Sequence, residues 1–517
     1  MTKLNTLLDQ YGISFNEART FVYSNFASPH VIYDTAGRYD ISFSMLAELY
    51  GQDVNEIQVK QFFSQLGFDT SDSIPQSDVT AFFPNMNSVL DVKSVTKTSV
   101  SAFSDRTTPH IESVLTQEDW DWSTVTYNFP TSIPDSHKED YETSFGWRPL
   151  NDVEKASFID TANRLNQYIV VELEQISDFY QADIQVVAVT QLSAEAFAYL
   201  PDFGIGGDIF LNADGMVNDP NYYSFGGYGI STMAHELGHA MGGEHTFEGD
   251  SVLPAEFDNT YFSIMTYTET GFLEVEAQAS EYDYSVMAID NYRSELGIID
   301  VAALQYAYGA DMSTNSDDDV YVYNEESRSF ETSSEHYLTI WDAGGVDTID
   351  VSDASFGSVV NLNDYTLSSV SERTTYEEAL EVAAAAGLGS FDEVSFIEDF
   401  IVSLGEEAFL NQNNLGIAFG VVIENVVAGA GDDVIIDNEV DNLIYSGAGD
   451  DAIYLGAGGY DQIDGGVGND TVFIAEAYKS IERYVDNNGY HIVGDNFAAT
   501  LIGVETVQYS DTSESIA

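Results

Sequence analysis

The apolar rhythm of the chain changes several times. In residues 1 to about 115 the spacing is helical. Met45, Leu46, Leu49 and Tyr50 fall on one face of Ile41–Tyr50, and Asp53 can cap a second helix carrying Val54, Ile57, Phe62 and Leu66, with Gly67 past its end. The Ser- and Thr-rich stretch 93–118 reads as a linker. Near Trp122 the pattern becomes mixed. Thr124–Phe129 alternates like a strand, Ile184–Val189 is the continuous apolar run of a buried one, and Gly207–Asn212 is a third. Phe158, Ala162, Leu165, Ile169 and Leu173 predict a helix over 152–179. Another helix opens near Ser231 or Thr232, either of which can cap it. Tyr376–Ala386 is an Ala-rich helical segment. From Ala428 the rhythm shortens to a repeat of glycine, aspartate and one aliphatic position.

That repeat keeps a nine-residue register. Gly429-Ala430-Gly431-Asp432-Asp433 opens it, Asp441–Ile444 holds the next register, and Gly447-Ala448-Gly449-Asp450-Asp451 follows. After one extra residue, Leu455, come Gly459-Tyr460-Asp461 and Gly465-Gly466-Val467-Gly468-Asn469-Asp470. This is the G-G-x-G-x-D-x-U-x nonapeptide of RTX proteins. Its glycines make tight loops with inward carbonyls, and the aspartate completes an oxygen cage for calcium. The expected ligand positions are Gly429, Gly431, Asp433, Gly447, Gly449, Asp451, Gly459, Asp461, Gly466, Gly468 and Asp470. Ile435, Ile444, Ile453, Ile463 and Val472 would point into a narrow core between two parallel sheets.

A second pattern carries reactive chemistry. His235 and His239 are four apart, so a helix puts both imidazoles on one face, one turn apart. Gly242 lets the backbone leave the helix, and the chain can then return His245 as a third ligand. Three protein ligands leave an open position for water, as at catalytic zinc. Glu236 follows the first ligand and faces that water as a general base. With 8 His and 40 Gly in 517 residues, the full pattern arises by chance with a probability on the order of 10⁻⁵.

His235-Glu236-x-x-His239-x-x-Gly242-x-x-His245, with Met265 in place for a Met-turn, is the metzincin signature. Ser263-Ile264-Met265-Thr266-Tyr267 is most similar to the Met-turn of the serralysins, with Thr266 replacing a serine. The resemblance implies that Tyr267 is a further zinc ligand in the resting enzyme and stabilises the oxyanion during turnover. The family usually has proline after the third histidine; this chain has Thr246. Thr124–Phe129 looks like the first strand of the family's catalytic domain, and Asp300–Ala310 resembles its closing helix and turn. Trp341–Asp350 resembles the start of its calcium-binding half. The family also implies that the strand at 207–212 lies on the rim of the cleft and pairs with extended substrate.

Charge and composition narrow the picture. The chain has 16 basic and 87 acidic residues, a net charge of −71, which repels nucleic acid and anionic membranes and suits calcium binding or salty water. No cysteine is present, so disulfides and cysteine-based sites are excluded. The N-terminus has no Sec-type signal and no apolar run reaches 18 residues, so no transmembrane span is expected. Gly503–Asp511 is similar to the tail of RTX proteins that feed a type I exporter, although Glu514–Ala517 keeps the usual serralysin ending poorly.

The expected architecture has three parts. Residues 1–115 form a small helical module, for which a pro-domain, a targeting module and a plain appendage stay open. Residues 116–310 form an α+β metzincin-type zinc protease domain. Residues 311–517 form an all-β parallel β-roll with an insertion at 371–414, of open role, and a C-terminal secretion region. The expected function is a secreted, monomeric zinc metalloendopeptidase acting on proteins or peptides, with one catalytic zinc and several structural calcium ions. The rival is a calcium-dependent RTX surface or adhesion protein with a vestigial protease domain.

Overall fold

The computed structural model describes residues 110–516, apart from 117–118, 121–122, 139–140, 178–181, 192–194, 203, 215–220, 250, 271–272, 281–283, 333–335, 406–411, 457 and 495–496. The helices expected before residue 110, and most of the linker after them, lie outside the described residues.

The first half is a mixed α/β region. A five-stranded sheet has the order β2-β1-β3-β5-β4, with β1 at Thr124–Asn128, β2 at Glu172–Gln175, β3 at Ile184–Val189, β4 at Ala196–Ala198 and β5 at Ile209–Asn212. All neighbours are parallel except β4, which runs antiparallel to β5 and forms the outer edge. Every residue of β3 is buried, which explains its unbroken apolar run. The rim strand expected at 207–212 is therefore an interior strand, and the edge belongs to Ala196–Ala198. Three small or aromatic residues carry too little period-two pattern to be seen in the sequence.

Helix α1, Asp152–Leu165, is shorter than its apolar spacing suggests. A capping box at Asn151 and Glu154 starts it. It stops because the Asn166 side chain bonds both the N–H and the C=O of Leu173, turning the chain back into β2. Ile169 and Leu173 reach the core from beyond the helix. Helix α2, Tyr228–Ala240, begins three residues before Ser231, on Gly227. Thr232 is inside it, its hydroxyl bonded back to the Tyr228 carbonyl at 2.9 Å. Helix α3, Ile298–Tyr308, follows, and Gly309 (φ +80°) ends it.

Between α2 and α3 stands an antiparallel hairpin, β6 (Leu273–Ala279) and β7 (Tyr284–Asp290). Its polar alternation hides it in the sequence, since within β6 only Val275 is buried. The 371–414 segment contains two helices, α4 (Thr375–Ala385) and α5 (Phe391–Leu404), both with capping boxes. Ala379, Val382 and Ala383 of α4 and Val394, Ile397 and Ile401 of α5 share a small core with Val275 of β6. Arg328 ties α4 to the C-terminal half through Glu378 and Glu381, at 2.9 and 2.8 Å.

The C-terminal half is strand-rich. Successive short strands alternate between two sheets: 425–427, 443–445 and 460–464 lie in one, 434–436, 452–455 and 471–474 in the other. These successive strands pair in parallel within each sheet, with Val434 beside Ala452 and Ala452 beside Thr471. The expected core residues Ile435, Ile444, Ile453, Ile463 and Val472 are all buried. Leu455 is absorbed as a fourth residue of its strand. A continuous buried cluster runs from Val125 and Phe158 through Leu304, Tyr308 and Trp341 into this core.

Candidate functional site

Helix α2 carries His235, Glu236 and His239, and its end decides where the third histidine goes. Gly242 adopts φ +89°, and the Gly243 N–H returns to the Gly238 carbonyl at 2.8 Å. A side chain on Gly238 would stand 2.5 Å from Met265 Sδ, so the helix rests directly on the buried Met265. The turn brings His245 back beside the helix.

The three imidazoles converge. His235 Nε2 lies 3.2 Å and His239 Nε2 3.1 Å from His245 Nε2. Each ring is held from behind through Nδ1: His235 on the Ile264 carbonyl at 2.7 Å, His239 on the Gly243 carbonyl at 2.8 Å, and His245 beside Glu248 Oε2 at 3.1 Å. With Nδ1 donating to a carbonyl, Nε2 carries a lone pair. Lone pairs meeting at this distance repel unless a cation lies between them. A tetrahedral ion with Zn–N bonds of 2.0–2.1 Å would space its ligands by about 3.3 Å, so the donor set fits zinc. Burial, followed by the neighbouring imidazoles, pushes His235 down to about 3. Burial likewise lowers His239 to about 4. Both are therefore neutral, as ligation requires.

Glu236 is 6% exposed, and its Oε2 has no hydrogen-bond partner. Burial raises this carboxyl to about 8. It lines a cleft of about 580 Å³ together with His235, Tyr228, Tyr267, Glu195 and Glu269. Tyr267 is 67% exposed; its ring centre lies 4.6 Å from that of His245 and 5.6 Å from that of His235.

Three supports of this site lie outside the expected set. Asp300, at the start of α3, accepts from the Ser263 hydroxyl at 2.5 Å and from the Ile264 and Gly297 N–H groups at 2.8 Å. It thereby fixes the loop whose carbonyl orients His235. Asp258 accepts from Thr246 at 2.5 Å and from Thr266 at 2.7 Å. The two positions that depart from the serralysin pattern thus share one acceptor, which joins the His245 loop to the Met265 turn. The third is Ala196 on the edge strand, which lines the cleft.

The repeat residues assemble into a second constellation. Asp433 Oδ1 caps the Ser358 N–H, Asp451 Oδ1 that of Asp433, and Asp470 Oδ1 that of Asp451, at 2.6–3.0 Å. The other oxygen, Oδ2, of Asp433, Asp451, Asp461 and Asp470 is buried without a partner. An orphaned carboxylate oxygen facing tight glycine turns suits a hard cation. The turns stack so closely that a side chain on Gly447 would meet the Gly429 carbonyl at 2.1 Å, and one on Gly466 the Gly447 carbonyl at 2.0 Å. Asp433, Asp451 and Asp470 follow one another along one side of the roll, and Asp461 does not share it. Asp461 caps the Asn442 N–H within the opposite sheet, because an 18- or 19-residue turn visits both sheets. Asp319, Asp342 and Asp347, not foreseen individually, also bring one oxygen each within 4.8 Å of one another. Asp347 Oδ2 is buried there without a partner.

The described residues contain no helix long and apolar enough to cross a membrane. Residues 310–375 match the family pattern described as Peptidase M10 serralysin C terminal. The chain is 32% identical over 269 residues to metallopeptidase AprA of Pseudomonas marginalis, covering 49% of this chain and 47% of that one. It is 33% identical over 261 residues to serralysin C of Dickeya chrysanthemi, covering 47% and 43%. With a serralysin of Photorhabdus laumondii the identity is 29% over 349 residues, covering 62% and 59%. The chain thus spans about half the length of the curated relatives it matches. Through its histidine triad and these matches the chain is a relative of the serralysins.

Proposed function

We propose that this chain is a secreted zinc metalloendopeptidase of the serralysin type that hydrolyses peptide bonds in extracellular proteins. The observation that carries this reading is the convergence of three Nε2 lone pairs beside the unpartnered Glu236 oxygen in an open cleft. His235, His239 and His245 would hold the zinc, joined by Tyr267 in the resting state. Zinc, when bound, lowers the pKa of a water toward about 7 and polarises a carbonyl. Glu236 acts as general base: it takes a proton from the attacking water and delivers it to the leaving amine. Tyr267 donates its hydroxyl to the developing oxyanion. The exposed edge of β4 offers main-chain partners to an extended peptide.

In the same reading residues 116–310 are the metzincin-type protease domain, and 311–517 are an RTX roll folded by calcium. The 1–115 module precedes them. Calcium would sit between successive glycine turns, held by Asp433, Asp451, Asp461, Asp470 and turn carbonyls, and at Asp342 and Asp347. A type I exporter is the fitting route out of the cell, and the chain acts as a monomer. A net charge of −71 disfavours nucleic acid as a partner.

Casein hydrolysis by the zinc- and calcium-loaded chain tests the reading. Glu236→Ala should keep its zinc by metal analysis while turnover falls by about 10²–10⁴-fold, the range for a lost general base. A variant retaining more than about a tenth of the activity would remove Glu236 from that role. Casein left intact by the loaded wild-type chain would favour the calcium-dependent surface protein instead.

A further inference from the structure

One wall of the cleft is both aromatic and acidic. The Tyr228 ring lies edge-on to Tyr292, with centres 4.9 Å apart, and 6.2 Å from Tyr222. The Tyr222 hydroxyl donates to Glu195 at 3.3 Å, and that of Tyr292 to Asp290 at 3.3 Å. Glu195 leads into the edge strand β4; Glu269 follows Tyr267 by two residues and stands at the foot of the β6–β7 hairpin. Glu195, Glu269, Tyr228 and Tyr292 line the same space as His235 and Glu236.

The electrostatics of this wall are one-sided. Burial first, then the Glu195 and Glu269 carboxylates, raise the Tyr228 phenol above its ordinary value. Tyr292 is pushed to about 12 by burial, then Asp290 and Glu269. These rings stay neutral and sit in a negative field. Among the described residues lining the cleft, Arg293 is the one lysine or arginine. It is 5% exposed, and its guanidinium bonds the carbonyls of Tyr261, Glu295 and Leu296 and the Thr339 hydroxyl. The buried, unpartnered Glu236 Oε2 belongs to the lining of this same space.

Electron-rich ring faces flanked by carboxylates bind ammonium and guanidinium groups, by cation–π attraction and ion pairing together. An acidic side chain would meet like charge in the same place. We propose that this wall is a subsite for a lysine or arginine flanking the scissile bond, so that the cleft selects basic peptides. The proposal rests on the endopeptidase reading and adds the substrate class to it.

The test uses the full zinc- and calcium-loaded chain and extended peptides carrying Lys, Arg, Gln or Glu at each position around the cleaved bond. At one position kcat/KM should favour Lys or Arg over Gln by about tenfold, the combined scale of an exposed ion pair and a cation–π contact. Glu should rank below Gln. Glu195→Gln with Glu269→Gln should reduce the Lys-to-Gln ratio several-fold. If casein is cleaved but no position prefers a basic residue, or the ratio survives the double substitution, the subsite is overturned and the endopeptidase reading stands. If no substrate is cleaved, that reading fails. The subsite is then judged by fluorescence anisotropy with labelled peptides on the Glu236→Ala chain. Tighter binding of the Lys peptide than of its Glu counterpart supports it; equal binding overturns it.

Discussion

Substituting Asp433 and Asp461 together by asparagine should change stability in opposite directions with and without calcium. Each aspartate uses Oδ1 to cap a neighbouring N–H, and asparagine keeps that acceptor. Each also buries an Oδ2 without a partner. Burial is the largest cause holding both carboxyls near 7, against 3.8 for an open chain. The sign follows from linkage. Below the unfolded value both states are protonated and the groups cost nothing. As pH rises from about 3.8 to 7 the unfolded chain ionises first, so folding loses stability, fully so above 7. The loss is up to about 4 kcal/mol per group. Two such groups together cost an appreciable part of the 5–15 kcal/mol typical of a domain. In chelator at pH 8 the double variant should therefore melt higher than wild type, by several degrees. In saturating calcium it should melt lower, because two charged ligands are gone. Each calcium site held at about 100 times its Kd contributes about 2.7 kcal/mol to the wild type. Far-UV circular dichroism melts of the full chain, with magnesium as control, read both effects. A double variant less stable than wild type in both conditions, or magnesium acting as well as calcium, would refute the reasoning.

Three further outcomes follow from the site. Tyr267→Phe should lower kcat by about 10²–10³-fold with little change in KM, as for a lost oxyanion donor; unchanged kcat in steady-state kinetics would remove its proposed role. Asp300→Ala strands the Ser263 hydroxyl and the Ile264 and Gly297 N–H groups, so denaturant unfolding should show a loss of at least about 3 kcal/mol. Asp258→Ala cuts the link between Thr246 and Thr266, so competition with a zinc chelator should show roughly 10–100-fold weaker zinc binding, the cost typical of a lost supporting contact.

Determined by the sequence alone were the features that depend on short spacing. Four residues along a helix put His235 and His239 on one face, and Gly242 permits the turn that returns His245. The nine-residue period placed Ile435, Ile453 and Val472 in a core and the turn glycines at their close stacking contacts. Helical spacing was less safe. The residues of 152–179 that look like one helix are divided between α1 and β2 by the Asn166–Leu173 bonds, because a buried strand and a buried helix end both need apolar residues. The three-residue edge strand and the polar β6–β7 hairpin carried no readable pattern. Tertiary structure decided what distant segments meet. Asp258 receives Thr246 and Thr266, Asp300 receives the Met265 turn, Asp461 stands across the roll from Asp451, and Glu195 and Glu269 face one cleft. One acid in a chain with 87 of them has no local signature. Its role depends on which chain segments packing brings within hydrogen-bond or Coulomb range, and only the closed fold sets those distances.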